Sequence, residues 1–406
     1  MIEICNVKDF TLVTEKTEGS LSFALGIFFN IGTRDENNFP NGVAHYFEHC
    51  IFKGSKRKTA KEIVIEFERI GAYINAFTTK EGICFYVRAL NKHFAKCSEL
   101  LFELVFEPAF PENEIKKETN IILDEINIYE DDYEEMIFDY ADDILFSSNS
   151  LANPILGTSK SVKKLNKDLL TDFSEFVLNQ KDIIISYVGI ESLPIIEKVL
   201  IPLLPNKLNL QNSRNNEFIY TPKIKSFKKD SHQSHLLICR AFKKPNFEKR
   251  IKLSIINSLL GEGMSSTLYQ SLRESSGIAY SVYSTQNFYS DVTGFYIYVG
   301  TDIKKIEKSI SLIKNNFKSL NEGKLSDLEF EIAKEQLSTS LILEAESLTF
   351  RMQFNAKFNN DSDYRKSIEE IINGINIVDI NEIIEINKEI FNYDDWSVIK
   401  IEQKDK

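Results

Sequence analysis

The order of elements in the first half of this chain comes round again in the second, and that repeat constrains the fold more than any other feature. Leu21 to Ile31 is rich in Phe, Ile and Leu and reads as a buried strand, and Gly42 to Phe52 has helical character. Thr59 with Glu62 forms a capping box that opens a helix stopping at Gly71. Tyr73–Thr78 and Ile83–Leu90 read as a hairpin, and Phe94, Cys97, Leu101 and Leu104 then recur at helical spacing. Pro111 starts a long helical pattern to about Leu145, with Ile115, Ile121, Ile122 and Ile126 on its apolar side. Past residue 230 come a strand at Leu236–Phe242, a helix from Arg250, a break at Gly261 and Gly263, a strand pair within Tyr280–Tyr298, and a long helix capped by Ser326 and Glu329. A period of about half the chain predicts two related α+β domains, each a mixed or antiparallel β-sheet packed with helices. Residues 206–230, where Asn, Lys, Ser and Pro replace apolar periodicity, predict a linker between domains at 1–205 and 231–406.

Several function classes are excluded early. A formal charge of −11 is the wrong sign for a phosphate-binding surface, so no nucleic-acid partner is expected. No run of 18 apolar residues occurs, which predicts no membrane span. Met1–Leu12 carries Glu3, Lys8 and Asp9 and so lacks the pattern of a secretory signal. The five cysteines are odd in number, scattered and without a Cys-x-x-Cys pair, which fits a reducing, cytoplasmic setting better than a disulfide framework.

The chemistry concentrates in His45-Tyr46-Phe47-Glu48-His49. In a helix, residues four apart lie one turn above each other, so His45 and His49 can aim their rings at one ion. Glu48 sits beside them, where a carboxylate can take the proton of a water activated by a metal. The bland alternative is a satisfied pair of helix histidines with a solvated Glu. Two imidazoles leave a catalytic zinc short of a third protein ligand. Glu118 and Glu125, almost two turns apart in the helical pattern after Pro111, face the same way; one can bind metal while the other supports it or the substrate. Without a metal, both are ordinary solvent-facing acids of an acidic helix.

The stretch Gly42 through Ser55 resembles the zinc motif of the pitrilysin and insulinase peptidases, the inverzincins. Asn75-Ala76-Phe77-Thr78, the Glu118 to Glu125 spacing, Pro154-Ile155-Leu156-Gly157-Thr158 and Arg273 through Ser284 match the same family, in family order, along most of the chain. The pattern is similar to the short branch that contains the bacterial and mitochondrial processing peptidases. That resemblance implies one zinc per chain held by His45, His49 and Glu125, with Glu48 as catalytic base and Glu118 in support. It implies that Asn75, Ala76 and Phe77 lie on an edge strand receiving the substrate backbone. It also implies that Arg273 and Tyr280 bind a substrate carbonyl from a metal-free second domain. Peptides or unfolded segments would be the substrates. A homodimer follows as the economical assembly, with a heterodimer beside a related chain as its variant. The rival reading is a catalytically silent assembly or peptide-binding subunit. One departure is Glu262, which stands where the family's glycine-rich loop usually has a further glycine.

Overall fold

The computed structural model describes residues 2–181, 183–206, 214, 217–360 and 365–404. Two compact units result. One comprises Met1–Ile128, Asn153–Asn215 and Glu344–Arg365, the other Tyr129–Ala152, Asn216–Leu343 and Lys366–Lys406.

The first unit holds β1 (Ile2–Val7), β2 (Phe10–Lys16), β3 (Ser22–Phe29), β4 (Tyr73–Thr78), β5 (Ile83–Leu90) and β6 (Ile183–Gly189) in the order β1-β2-β6-β3-β5-β4. The second holds β7 (Ile224–Lys229), β8 (Ser234–Lys243), β9 (Ala279–Phe288), β10 (Val292–Thr301) and β11 (Ser397–Gln403) in the order β7-β11-β8-β10-β9. With β1 set aside, β2-β6-β3-β5-β4 corresponds strand for strand to β7-β11-β8-β10-β9. Each sheet has one parallel pair at the same place, β2 with β6 and β7 with β11. The half-chain period of the sequence is thus a repeat of topology, and the α+β expectation holds.

Against the first sheet pack α1 (Val43–Ile51), α2 (Ala60–Arg69) and α3 (Phe94–Phe106), followed by α4 (Glu112–Asp131). The capping box expected at Thr59 and Glu62 is present at the start of α2. The pattern read as one helix from Pro111 to Leu145 is two. Asp132, at φ −91° and ψ 89°, ends α4, and its carboxylate accepts from the backbone N–H groups of Glu134 and Glu135 to cap α5 (Tyr133–Leu145). Apolar spacing continues across that cap because both helices bury a face, but in different units. Ile121, expected on the buried side, is 50% exposed, while Ile115, Ile122 and Ile126 are buried.

The units do not follow a single cut in the sequence. α5 packs on β8 and β11 of the second unit, where Ile137, Ala141 and Leu145 join Leu237, Tyr296 and Ile399 in one core and Tyr296 donates to Asp142 at 2.8 Å. In the first unit the helix Leu348–Asn360 covers β3 and β6; Ser186 Oγ donates to the Met352 carbonyl, and Arg351 pairs with Glu15. The expected linker 206–230 contains strand β7, whose alternating exposed and half-buried residues give little apolar signal. Residues 207–213 and 215–216 of that linker lie outside the described residues.

Candidate metal centre

Helix α1 is shaped by its apolar residues. Val43, Ala44, Tyr46, Phe47, Cys50 and Ile51 are buried, and the Phe47 ring meets those of Phe85, Phe110 and Phe173 at 5.6–6.2 Å. That anchorage fixes the rotation of the helix and leaves His45 and His49 on the remaining side, with ring centroids 4.5 Å apart.

The N-terminus of α1 needs an acceptor that its own first residue lacks, because Gly42, at φ +91°, has no side chain. Glu36 supplies it from six residues upstream. Its carboxylate accepts from Gly42 N at 2.9 Å, Ala44 N at 3.0 Å and Asn41 Nδ2 at 2.8 Å, and the residue is only 2% exposed. Burial pushes its pKa up to about 7, against the hydrogen bonds and Lys80, which lower it. The neighbouring Asp35 is clamped by both nitrogen arms of Arg214, at 2.8 and 2.9 Å. Gly157, at φ +72°, lies so close that a Cβ there would stand 2.4 Å from the Asn41 carbonyl oxygen. This contact is the physical content of the Pro154–Thr158 motif.

Tyr46 carries the second link. Its hydroxyl donates to the Ile115 carbonyl at 2.9 Å and meets Thr119 Oγ1 at 2.5 Å, tying α1 to α4. Across that tie, Glu125 places Oε1 3.9 Å from His45 Nε2 and Oε2 3.8 Å from His49 Nε2. Ligand atoms of the three residues all lie within 4.8 Å of one another, and no other such group of three occurs among the described residues. These separations are too long for hydrogen bonds. The two carboxylate separations approach the edge of about 3.4 Å that a tetrahedral zinc with bonds of about 2.0–2.1 Å would require. Two imidazoles and one carboxylate therefore fit a divalent cation. Burial, aided by the His49 charge, lowers the His45 pKa to about 4, which keeps that ring in its ligating form.

Glu118 does not join the three. It is buried, accepts at Oε2 from His49 Nδ1 at 3.2 Å in the tautomer this contact selects, and pairs at Oε1 with Lys53 Nζ at 2.7 Å. That fixes the His49 ring and leaves Nε2 facing Glu125, the supporting arrangement expected beside a metal. Glu48 accepts from Thr78 Oγ1 at 2.8 Å. Burial raises its pKa above the usual carboxylate value, while the Thr78 hydrogen bond and His49 pull it back.

Thr78 ends β4, which is the outer strand of its sheet, so Asn75, Ala76 and Phe77 do lie on an edge. Arg273, in a single π-helical turn, and Tyr280, at the start of β9, are exposed residues of the second unit. His235 is a structural residue, 2.8 Å through Nδ1 from the Tyr298 hydroxyl. Sequence reasoning did not single out Glu36, Tyr46, Lys53 or Thr78. The first caps across a loop; the others fall inside stretches already matched to the family, but their roles come from contacts distant in sequence that no local pattern reveals.

Residues 11–159 match the family model described as Insulinase (Peptidase family M16), and residues 164–337 match the Peptidase M16 inactive domain. The chain is 33% identical over 387 residues to an uncharacterized zinc protease, YmxG, of Bacillus subtilis (strain 168), covering 94% of each. It is 30% identical to an uncharacterized zinc protease of Rickettsia bellii (strain RML369-C), covering 94% of this chain and 93% of the relative. Among solved structures, a peptidase M16 inactive domain from Pseudomonas fluorescens has TM-score 0.90 at 18% identity, covering 100% of this chain and 98% of that one. A protease from Helicobacter pylori has TM-score 0.89 at 17% identity and covers both chains completely.

Proposed function

Because the chain belongs to the insulinase (M16) peptidase family, we propose that it is a zinc-dependent endopeptidase acting on peptides or unfolded segments. The observation that carries the proposal is the convergence of His45 Nε2, His49 Nε2 and the Glu125 carboxylate beside the half-buried Glu48. His45, His49 and Glu125 would hold one zinc ion per chain, which would supply the Lewis acidity that polarises a peptide carbonyl and acidifies a water. Glu48 takes the proton of the attacking water and returns it to the leaving amine, with Thr78 holding its carboxylate. Glu118 and Lys53 keep the His49 ring in place.

The Asn75–Phe77 edge pairs with the substrate backbone as an added strand. Arg273 and Tyr280 contribute hydrogen bonds to a substrate carbonyl. A silent assembly subunit would be expected to lack a ligand or the base, and this chain has the full set. A homodimer is the proposed assembly, and sedimentation equilibrium showing a fully active monomer would remove it. The peptidase reading is tested by incubating the purified protein with an unbiased peptide mixture and reading products by mass spectrometry. Cleavage that a chelator abolishes and added zinc restores supports it; cleavage indifferent to chelation overturns it.

A further inference from the structure

Strand β4 offers more than the three residues assigned to it. Successive side chains alternate, so Tyr73, Asn75 and Phe77 share one face while Ile74, Ala76 and Thr78 share the other. The second set belongs to the catalytic side, since Ile74 and Ala76 pack on the core that includes α1 and Thr78 donates to Glu48. On the first set's face, Phe77 is closed in by Phe28 and Tyr86, with ring centroids 6.5 Å from each. Tyr73 is different: it is 78% exposed, a large aromatic standing in water at the far end of an edge strand. Its partner across the β4–β5 ladder is Arg88, which is also exposed.

The strand acts as a ruler from the catalytic base. Five residue steps separate Thr78 from Tyr73, which at about 3.4 Å per residue is roughly 17 Å. An extended peptide added alongside β4 has the same rise, so the residue beside Tyr73 is about five positions from the one beside Thr78. There a substrate side chain on the same face meets the exposed Tyr73 ring, while Arg88, on the inner strand β5, flanks Tyr73 on the side away from the substrate. That ring favours an aromatic partner, through ring–ring contact.

We propose that Tyr73 forms a distal specificity subsite for an aromatic substrate residue about five positions from the scissile bond. The inference rests on the peptidase reading and on the edge strand as the substrate's docking site. It gives the enzyme a preference set far from the bond it cuts, and a minimum substrate length.

Two readouts separate the inference from its premise. Peptides carrying one Phe in an alanine-rich background, moved position by position, are cleaved by the wild-type protein and by Tyr73→Ala and Tyr73→Phe. The same peptides, fluorescently labelled, are titrated against zinc-loaded Glu48→Gln with and without Tyr73→Ala, where no turnover is needed. The expected result is a preference for Phe four to six residues from the cleavage point and binding about 3- to 10-fold weaker without the Tyr73 ring. The preference survives in Tyr73→Phe and vanishes for peptides too short to reach the subsite. Phe-position dependence unchanged by Tyr73→Ala overturns the subsite while leaving the peptidase standing. Tyr73-dependent binding without any cleavage by wild type retains the docking subsite and overturns the peptidase. Neither positional preference nor Tyr73-dependent binding overturns the subsite outright.

Discussion

Replacing Glu36 by alanine strips the acceptor from the N-terminus of the helix that carries both histidines. Gly42 N–H and Ala44 N–H are left buried without a partner, at about 1–3 kcal/mol each, or about 2–6 kcal/mol together. Opposing this is the cost of an ionised carboxylate that is 2% exposed. Its pKa rises from 4.5 to about 7 on folding, and at about 1.4 kcal/mol per unit the charged form is disfavoured by about 3 kcal/mol. Between those two values the folded state holds more protons than the unfolded one, so wild-type stability falls as pH rises through that window. The alanine variant has no such dependence. Its deficit is therefore largest below about pH 4.5 and shrinks by up to about 3 kcal/mol by pH 8. Tryptophan fluorescence would miss the effect, because the single tryptophan, Trp396, belongs to the other unit. Peptide-resolved hydrogen exchange over Val43–Ile51, with metal chelated and intrinsic rates corrected for pH, reads it directly. A deficit that is flat or grows with pH would refute the reasoning.

Further outcomes follow from the same contacts. Glu118→Gln keeps the metal but binds it about 10- to 100-fold more weakly, whereas Glu125→Ala loses it; titration against a competing chelator distinguishes the two. Gly157→Ala costs about 1–3 kcal/mol from its positive φ alone, and more from the clash with Asn41. Gly19→Ala, also at positive φ but with open space around it, bears only the first cost, so equal thermal shifts would contradict the packing argument. Burial lowers the pKa of His235, so the unfolded chain takes up its proton first and the second unit loses stability as pH falls below about 6.5. Urea unfolding followed by Trp396 fluorescence should show that acid slope in wild type and a smaller one in His235→Gln; an unchanged slope would place its origin elsewhere.

Much of the site was legible because it is local. One helical turn carries His45, Glu48 and His49, and two turns carry Glu118 and Glu125, so periodicity alone places each set on one face. The hairpin Tyr73–Leu90 was equally plain, since β-rich runs flank a short turn. Periodicity reports that a helix buries a face, without saying against what. That is why α4 and α5 read as one element although they pack in different units, and why Ile121 was assigned to the core. The groups that hold the site together belong to the same blind spot. Glu36 caps across a loop, Tyr46 bonds residues 69 and 73 positions away, and Thr78 reaches back 30 residues to Glu48. Each is an ordinary residue in its own neighbourhood and acquires its role only when the fold closes.

The central claim is that His45, His49 and Glu125 hold one zinc while Glu48 moves the proton. Its most direct test is elemental analysis of purified wild type and Glu48→Gln, paired with peptide turnover by both. The account predicts about one zinc per chain in each protein and hydrolysis by wild type alone. Absence of bound metal from both, or turnover retained by Glu48→Gln, would contradict it.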